Sequence, residues 1–434
     1  MLSKGWGRAV TDCMLRLFSV PRARFPVQRA VDRRAVGPVL GAQAAETNTT
    51  QAGGPMNSLL AAGAVLWLLL ALSVVVMGIW ACELALGWFR YESPEIEHPP
   101  SEVQVRILTI GLDPAVVQQT VDALPATVSD IHVVSEQAIA IEGAVVDVVP
   151  ESYTCTAEKK GRALEWARTH VPCDREYILY LDEDSQAIDF KGVPDADIIQ
   201  FGEQPFRTGS RLAYWLDVFR MGFQIEMRAF PKLTVPLYAW GGGIAVRREL
   251  EDQVTWDFKS IVEDTGFVWR AARDHDIDMA YVDTKFRNQA PPSLRALISQ
   301  RRRWYAGSIS EVSTLPFRYH LITWIRNVSW SVTALMPLVW LAALLPVSGS
   351  LVPFQNVYLV IAPATFSFLF VWAVIGGRYM DESLRVTAAI CLLAPVLSFL
   401  NGVGALYGAV DSPEDFDVTE KSADNTMVTE IDAD

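Results

Sequence analysis

Apolar residues gather in four long uncharged runs on either side of a more polar middle segment. One run precedes that segment, and three follow it, the first two of them separated by Pro346 and Pro353. A helix needs about 20 apolar residues to cross a ~30 Å hydrocarbon core, and buried helices of soluble proteins seldom run that long without a polar face. We therefore predict four transmembrane helices, at residues 58–82, 327–347, 354–377 and 386–410.

The middle segment, residues 101–306, alternates between strand-like and helix-like patterns. The strand-like stretches are 103–111, 131–135, 144–150 and 176–184, and the helix-like stretches include 114–124 and 156–169. Strands that alternate with helices indicate an α/β domain with a mostly parallel, Rossmann-like sheet. Ligands of such sheets bind at the carboxyl ends of the strands, so we look for the chemistry there.

The remaining segments differ in charge. Residues 1–55 carry eight basic and three acidic residues, and residues 411–434 carry nine acids and a single Lys. Neither shows a clear periodicity, so we expect a basic disordered leader and an acidic disordered tail, with Met56 as an alternative start of the protein. Residues 307–326 mix apolar side chains with Arg, which indicates an interfacial segment or an ordinary connector.

Basic residues also predict an orientation in a cell membrane. They follow the first span, precede the second, and lie between the third and fourth. By the positive-inside rule these segments and the polar middle segment are cytoplasmic, and both termini lie outside. The leader, with a net charge of +5, then lies on the disfavoured side.

Composition narrows the classes of protein that fit this pattern. The 434 residues are 51% hydrophobic and 20% charged, with a net charge of −13, and only 8 of the 37 basic residues are Lys. We exclude nucleic-acid binding by bulk charge, because phosphate neutralisation needs clustered cations. Five irregularly spaced Cys build no disulfide framework. An acidic, Lys-poor chain is favoured by a high-salt cytoplasm, so we expect a halophilic archaeal source.

Two pairs of acids are candidates for chemistry. Asp182 and Asp184 follow a hydrophobic strand, where two carboxylates can share Mg²⁺ with phosphate oxygens. Glu263 and Asp264 begin a helix-like stretch, and the helix dipole there keeps an acid ionised and able to act as a base. Each pair taken alone also fits a simpler interpretation, as an acidic turn or a charged helix cap.

A basic cluster lies between the polar segment and the second span. In Gln-Arg-Arg-Arg-Trp, helical spacing puts Gln300, Arg303 and Trp304 on one face, while Arg301 and Arg302 face elsewhere, toward lipid phosphates. A guanidinium binds diphosphate, and an indole with an amide binds a sugar ring. The alternative is a juxtamembrane basic cluster, which leaves the Gln and Trp unexplained.

The order of these motifs, D-x-D, then E-D, then Q-x-x-R-W, resembles the family 2 glycosyltransferases, which include cellulose, chitin and hyaluronan synthases. Residues 160–167 resemble the lysine-glycine helix start before the metal motif, and residues 238–249 resemble the glycine-rich acceptor loop. Three segments are most similar to the egghead type of β-1,4-mannosyltransferase: residues 236–246 at the acceptor loop, 261–271 at the E-D motif and 290–308 at the Q-x-x-R-W motif. Many members hold the nucleotide base with an Asp-Asp pair, and this chain has Ser135-Glu136 in that place.

The resemblance implies a GT-A domain that uses a nucleotide-diphosphate sugar, a UDP- or GDP-hexose, with Mg²⁺ or Mn²⁺. The expected metal ligands are Asp184 and Asp182, and the expected base is Asp264 with Glu263 beside it. The donor would be bound by Asp182, Lys160, Glu136 and Arg303. The acceptor would be bound by Gln300, Trp304, Trp240, Gly241 and Gly242.

Three functions fit these expectations. The favoured one is an inverting, multi-pass membrane glycosyltransferase that adds a hexose to a lipid-linked or glycolipid acceptor and contacts membrane lipids. A processive polysaccharide synthase is the first alternative, although three spans after the domain are few for a conducting channel. A non-catalytic membrane scaffold is the second, although such proteins usually lack the base or the metal acids.

Overall fold

The computed structural model describes residues 55–344, 354–413 and 421. The predicted leader and most of the predicted acidic tail lie outside these residues. The helices are α1 (Pro55–Arg90), α2 (Pro114–Asp122), α3 (Lys159–His170), α4 (Arg211–Gln224), α5 (Arg248–Val254), α6 (Glu263–Asp274), α7 (Leu294–Glu311), α8 (Phe317–Val332), α9 (Met336–Leu344), α10 (Gln355–Tyr379) and α11 (Leu384–Val410). The strands are β1 (Val103–Thr109), β2 (Ile131–Ser135), β3 (Val145–Val148), β4 (Tyr177–Asp182), β5 (Gln186–Ala187), β6 (Ile198–Phe206), β7 (Ile244–Arg247) and β8 (Met279–Gln289).

The strands form one eight-stranded sheet in the order β3-β2-β1-β4-β7-β6-β8-β5. The pairs β1–β2, β1–β4, β2–β3 and β6–β8 are parallel, as the α/β alternation predicts. The sheet is nevertheless mixed, because β7 is antiparallel to both of its neighbours and β5 is antiparallel to β8. This Rossmann-like sheet is the predicted α/β fold.

The sheet is buried on both faces, which explains its hydrophobic strands. All seven residues of β1 are buried, and five of the six residues of β4. One hydrophobic cluster on the sheet includes Val105 and Leu179, and another includes Leu108 and Tyr180. Successive side chains point to opposite faces, so each strand contributes to both clusters. Because β1 is parallel to both β2 and β4, the carboxyl ends of these three strands lie at the same edge of the sheet.

Four stretches of helix are long and apolar enough to cross a membrane, judged by length and composition. They are Leu59–Arg90, Phe317–Leu344, Gln355–Tyr379 and Leu384–Val410. The first runs past its predicted end at residue 82, because the buried Glu83 is paired with Arg326 at 2.7 Å. The second begins ten residues before its predicted start, and α8 therefore takes in half of the expected interfacial segment.

The fourth stretch, α11, packs along α7, which follows the last strand of the sheet domain. Just before its start, Glu382 accepts a hydrogen bond from Tyr214 of α4, and at its end Asp411 is paired with Arg302 of α7. Both ends of α11 therefore contact the same domain. The orientation with both termini outside stays a prediction, and in the structure Lys421 also contacts the domain, at Asp184.

Candidate active site

Three elements bring charged residues together at the edge where β4 ends. Asp182 is the last residue of β4, Lys160 lies in the first turn of α3, and Glu263 and Asp264 begin α6. Lys160 Nζ lies 2.7 Å from Asp182 Oδ1 and 3.4 Å from Glu263 Oε1. A Cβ atom placed on Gly241 would lie 2.7 Å from Lys160 Nζ and 2.8 Å from Asp264 Oδ2, so the glycine loop closes over the same group.

The charges of this group control one another's ionisation. Burial alone would lower the pKa of Lys160, but Asp182, Glu263 and Asp264 raise it above its usual range. Burial would raise the pKa of Asp182, and the Lys160 ammonium holds it below its usual value instead. The lysine is thus a fixed positive charge between the two acid motifs, and it keeps Asp182 ionised for ligand binding.

Asp264 has the properties of a base. Burial, together with the neighbouring Glu263, raises the pKa of its carboxyl to about 6, against the opposing effect of Lys160. Its Oδ1 accepts a hydrogen bond from the Thr265 N–H, which fixes the carboxylate at the helix start. A carboxylate with a pKa near neutrality can accept a proton from a hydroxyl in the transition state.

The middle residue of Asp-Glu-Asp faces away from the other two. Glu183 Oε2 accepts a hydrogen bond from Thr109 of β1, whereas Asp184 is buried and accepts one from the Gln289 N–H at 2.7 Å. Lys421 Nζ donates a hydrogen bond to the same Asp184 oxygen at 2.6 Å. Lys421 is one of the four described residues of the predicted acidic tail, and the tail as a whole stays a prediction.

The Trp-Gly-Gly-Gly loop is held by side chains on two sides. Gln200 of β6 donates to the carbonyl groups of Trp240 and Gly243 and accepts from the Trp240 N–H. Thr265 Oγ1 accepts from the Ala239 N–H at 3.1 Å. A Cβ on Gly242 would lie 2.5 Å from the Trp240 ring, so this position requires glycine. The loop is therefore tied to the helix that carries Asp264.

Helix α7 brings the Q-x-x-R-W residues to the same place. Arg303 lies close enough to Glu263, Asp182 and Asp264 for their charges to raise its pKa, although burial lowers it overall. Trp304 lies beside a cavity that also contains Asp264. Arg301 does not face lipid phosphates: it is fully buried, is paired with Asp217 of α4, and its guanidinium lies 4.3 Å from the Trp304 ring centroid.

Glu136 lies at the carboxyl end of β2, as expected for a residue near the nucleotide base. Arg162 of α3 binds both of its carboxylate oxygens, at 2.9 and 2.7 Å. The pair is partly exposed. Because the carboxylate is already neutralised, a base that reaches this place meets the Glu136–Arg162 pair rather than a free acid.

The acids of Asp-Glu-Asp suit a divalent metal ion. Asp182 and Asp184 offer hard oxygen ligands one residue apart, and the Lys421 ammonium occupies a cation position at Asp184. Among the described residues, a separate group of possible ligands is formed by His98, Glu176 and Asp195, away from this edge. Arg247 is paired with both of its carboxylates, so this second group is a surface ion-pair cluster.

A cavity of about 370 Å³ extends from the acids into the helices that follow and precede the domain. Asp264, Trp240 and Trp304 lie at its catalytic end, and Trp340 of α9 and Ser73 of α1 lie at its other end. Its volume is within the range of small-molecule sites. The structure thus joins the predicted base to the apolar helices through one continuous space.

Residues 177–376, somewhat less than half of the chain, match the family model described as Glycosyl transferase family group 2. No curated protein matches the chain. Similar solved structures include the mannosyltransferase PcManGT from Pyrobaculum calidifontis in complex with GDP-Man and Mn²⁺, with 12% identity over 80% of this chain and 100% of that chain and a TM-score of 0.43. A second is mannosyl-3-phosphoglycerate synthase from Rubrobacter xylanophilus, with 20% identity, coverage of 48% and 73%, and a TM-score of 0.30.

A third is glucosyl-3-phosphoglycerate synthase from Mycobacterium tuberculosis in complex with Mn²⁺ and UDP-glucose, with 15% identity, coverage of 62% and 86%, and a TM-score of 0.31. Because each of these TM-scores is below 0.5, the similarity to glycosyltransferases rests on the family match of residues 177–376. The matched segment contains the predicted metal acids, base and Q-x-x-R-W motif. The segment that carries these residues is therefore similar to the family 2 glycosyltransferases.

Several residues around the site are not indicated by any motif in the sequence. Asp217, Arg220, Gln200 and Lys421 support or contact the predicted residues, and none belongs to a motif. For two of the four, the sequence contains a signal. Asp217 is the one acid in α4, and Lys421 is the one Lys in a tail with nine acids.

Proposed function

We propose that this protein is an inverting membrane glycosyltransferase that moves a hexose from a nucleotide-diphosphate sugar to a lipid-linked or glycolipid acceptor. The observation that carries the proposal is the cavity that leads from Asp264 and Trp304 to α1, α9 and α10. An acceptor whose sugar lies at the base and whose lipid follows apolar helices fits this shape. The catalytic domain is proposed to be cytoplasmic, in accord with the basic residues that flank the spans.

In this proposal one set of residues binds the donor, and another residue acts on the acceptor. Lys160 and Arg303 hold the donor diphosphate, with Glu136 near the base. Asp182 and Asp184 would hold Mg²⁺ or Mn²⁺, which supplies charge stabilisation for the departing diphosphate. Asp264 takes the proton of the acceptor hydroxyl, whose oxygen bonds to the anomeric carbon as the bond to the diphosphate breaks, with inversion.

The identity of the sugar is a narrower part of the proposal. The sequence resembles the egghead type of β-1,4-mannosyltransferase around the acceptor loop and the Q-x-x-R-W motif. The solved structure of PcManGT contains GDP-Man and Mn²⁺. We therefore propose GDP-mannose as the first donor to test, with UDP-glucose, the donor in the Mycobacterium tuberculosis structure, as the second.

The test is sugar transfer by purified protein from GDP-mannose or UDP-glucose to polyprenyl-phosphate and glycolipid acceptors with Mn²⁺. Asp264→Asn should lower kcat about 10²- to 10⁴-fold, because the amide accepts no proton. Asp274→Asn, at the far end of the same helix, is the matched control and should transfer like wild type. Wild-type transfer rates in the Asp264→Asn variant would refute the assignment of the base.

A processive synthase remains the second candidate because of the side chains around the cavity. Six of them are tryptophans, and polar groups such as Asn327 and Asn401 lie among them; the tryptophans are Trp80, Trp240, Trp304, Trp330, Trp340 and Trp372. Aromatic rings with amides are suited to bind sugars. Product length decides between the two: a single added hexose supports the first proposal, and a ladder of long polymer supports the second.

A further inference from the structure

Helix α4 places a buried carboxylate behind the Q-x-x-R-W motif. Asp217 is 2% exposed, and its Oδ1 accepts hydrogen bonds from Arg301 of α7 and from Arg220 Nε, the latter at 3.0 Å. The motif residue Arg301 is 0% exposed. Two guanidinium groups that come from different helices thus share one carboxylate oxygen.

Both guanidinium groups lie against the indole of Trp304. The distances to the ring centroid are 4.3 Å for Arg301 and 5.2 Å for Arg220. At such distances a cation is attracted to the ring electrostatically, and the attraction grows when the pair is withdrawn from water. Trp304 also lines the cavity that contains Asp264. The position of the indole at the catalytic end therefore depends on where Asp217 holds the two arginines.

The other bonds of the arginines fix the rest of the cluster. Arg220 forms two hydrogen bonds with Glu203 of β6, at 2.9 and 2.6 Å. Arg301 donates to the side-chain oxygen of Gln300 at 2.5 Å and to Asn401 of α11 at 3.3 Å. Arg301 thus contacts both residues of the Q-x-x-R-W motif that are expected to bind the acceptor, Gln300 and Trp304.

Stability alone does not account for this arrangement. Removing two charges from water costs several kcal/mol per ion, and apolar residues of similar volume often stabilise a protein as well as a buried ion pair does. Burial lowers the pKa of Arg301 to about 10, so it is still charged at neutral pH. A buried pair of this kind gives a defined geometry, which is what an acceptor site needs.

We propose that Asp217 is a positioning residue: through Arg301 and Arg220 it sets Trp304 and Gln300 for the acceptor sugar. The inference rests on the proposed function, in which those two residues contact the acceptor. Asp217 itself touches neither the cavity nor the reacting groups. Its effect should therefore appear in acceptor binding more than in the donor site around Lys160 and Asp182.

The test compares Asp217→Asn and Arg301→Met with Arg302→Met, the adjacent arginine, which is partly exposed and paired with Asp411. The KM for the acceptor should rise at least about tenfold in the first two variants, more than the KM for the donor, since a shift of about 1 Å in a positioning group has effects of this size or larger. Arg302→Met should leave both KM values at the wild-type level. An unchanged acceptor KM in Arg301→Met would overturn the inference.

A double variant separates positioning from folding. Asp217→Leu with Arg301→Met replaces the pair by apolar side chains and leaves Arg220 paired with Glu203, so we expect thermal stability close to wild type. The acceptor KM should stay raised. If the double variant recovers both stability and acceptor KM, the pair is only structural. If wild type hydrolyses the donor but transfers to no lipid acceptor, the proposed function fails, and this inference with it.

Discussion

At the scale of single residues, Asp264 determines the pH dependence that we expect. Its pKa is raised to about 6 by burial and by Glu263, and only the ionised carboxylate accepts a proton. The value of kcat/KM should therefore be independent of pH above this pKa and fall about tenfold for each pH unit well below it. A profile of initial rates from about pH 4.5 to 8, at saturating Mn²⁺, measures this limb.

Lys160 provides the control for that assignment. It lowers the pKa of Asp264, so Lys160→Met should move the acid limb to higher pH, in addition to weakening donor binding. Lys259→Met removes an exposed lysine that is paired with Glu158, and it should leave the limb in place. A limb that stays at the same pH in Lys160→Met would show that another group is titrating.

Gly241 makes a second prediction at this scale. A Cβ there would approach Lys160 Nζ and Asp264 Oδ2 to less than 3 Å, so one or both must move. Gly241→Ala should lower kcat/KM by about 100-fold, because displacements of about 1 Å at reacting groups have effects of that size. Gly78→Ala in α1, where a Cβ meets no atom within 4 Å, is the matched control. Equal rates in the two variants would contradict this geometry.

At the scale of elements, Lys421 connects the C-terminal tail to the metal acids. Its ammonium bonds to the Asp184 oxygen at 2.6 Å, so a metal ion at Asp184 must compete with it. Lys421→Met should lower the Mn²⁺ concentration for half-saturation at least about fivefold, because ~1 kcal/mol is the upper end for exposed ion pairs and this pair is largely buried. The measurement is Mn²⁺ binding by electron paramagnetic resonance, with rates measured in parallel.

The control for Lys421 is an exposed lysine away from the site. Lys191 is paired with Asp189, and Lys191→Met should leave Mn²⁺ binding unchanged. If Lys421→Met binds Mn²⁺ like wild type, the contact does not compete with the metal.

The elements differ in how far the sequence predicts them. Strands such as β1 and β4 are buried on both faces and read as hydrophobic runs, so their positions follow from the pattern alone. The direction of a strand does not follow from the pattern, because β7 has the same composition whether it runs parallel or antiparallel to β4. The ion pair of Asp217 with Arg301 spans 84 positions, and no local pattern indicates such a partner.

The residues of the candidate site, too, were predictable from the sequence only in part. Ordered motifs predicted Asp182, Asp264 and Arg303, and the structure brings these residues into one charged group. The roles assigned to them stay predictions. The motif pattern misplaced Arg301, because helical spacing tells which face a side chain is on and not what covers that face. Here α4 and α11 cover it.

At the scale of the whole molecule, the apolar helices pack against the sheet domain as well as against one another. Three of the candidate spans have one end at the domain, as shown by contacts at Gly87, Tyr319 and Lys285, while residues such as Leu70 and Val339 pack together away from it. The fourth, α11, contacts the domain at both ends. Hydropathy does not distinguish these two cases, since α11 is as apolar as the others.

This arrangement predicts the side of the membrane on which the described chain ends. Helix α11 should lie at the membrane surface, so Ser412 should be on the catalytic side, and Phe354, between α9 and α10, on the opposite side. Ser412→Cys and Phe354→Cys, in a variant with its native cysteines replaced by Ser, are labelled with a membrane-impermeant maleimide in sealed vesicles of known orientation. Both positions are accessible in the structure. Labelling of both from the same side would mean that α11 crosses the membrane, which its two contacts with the domain oppose.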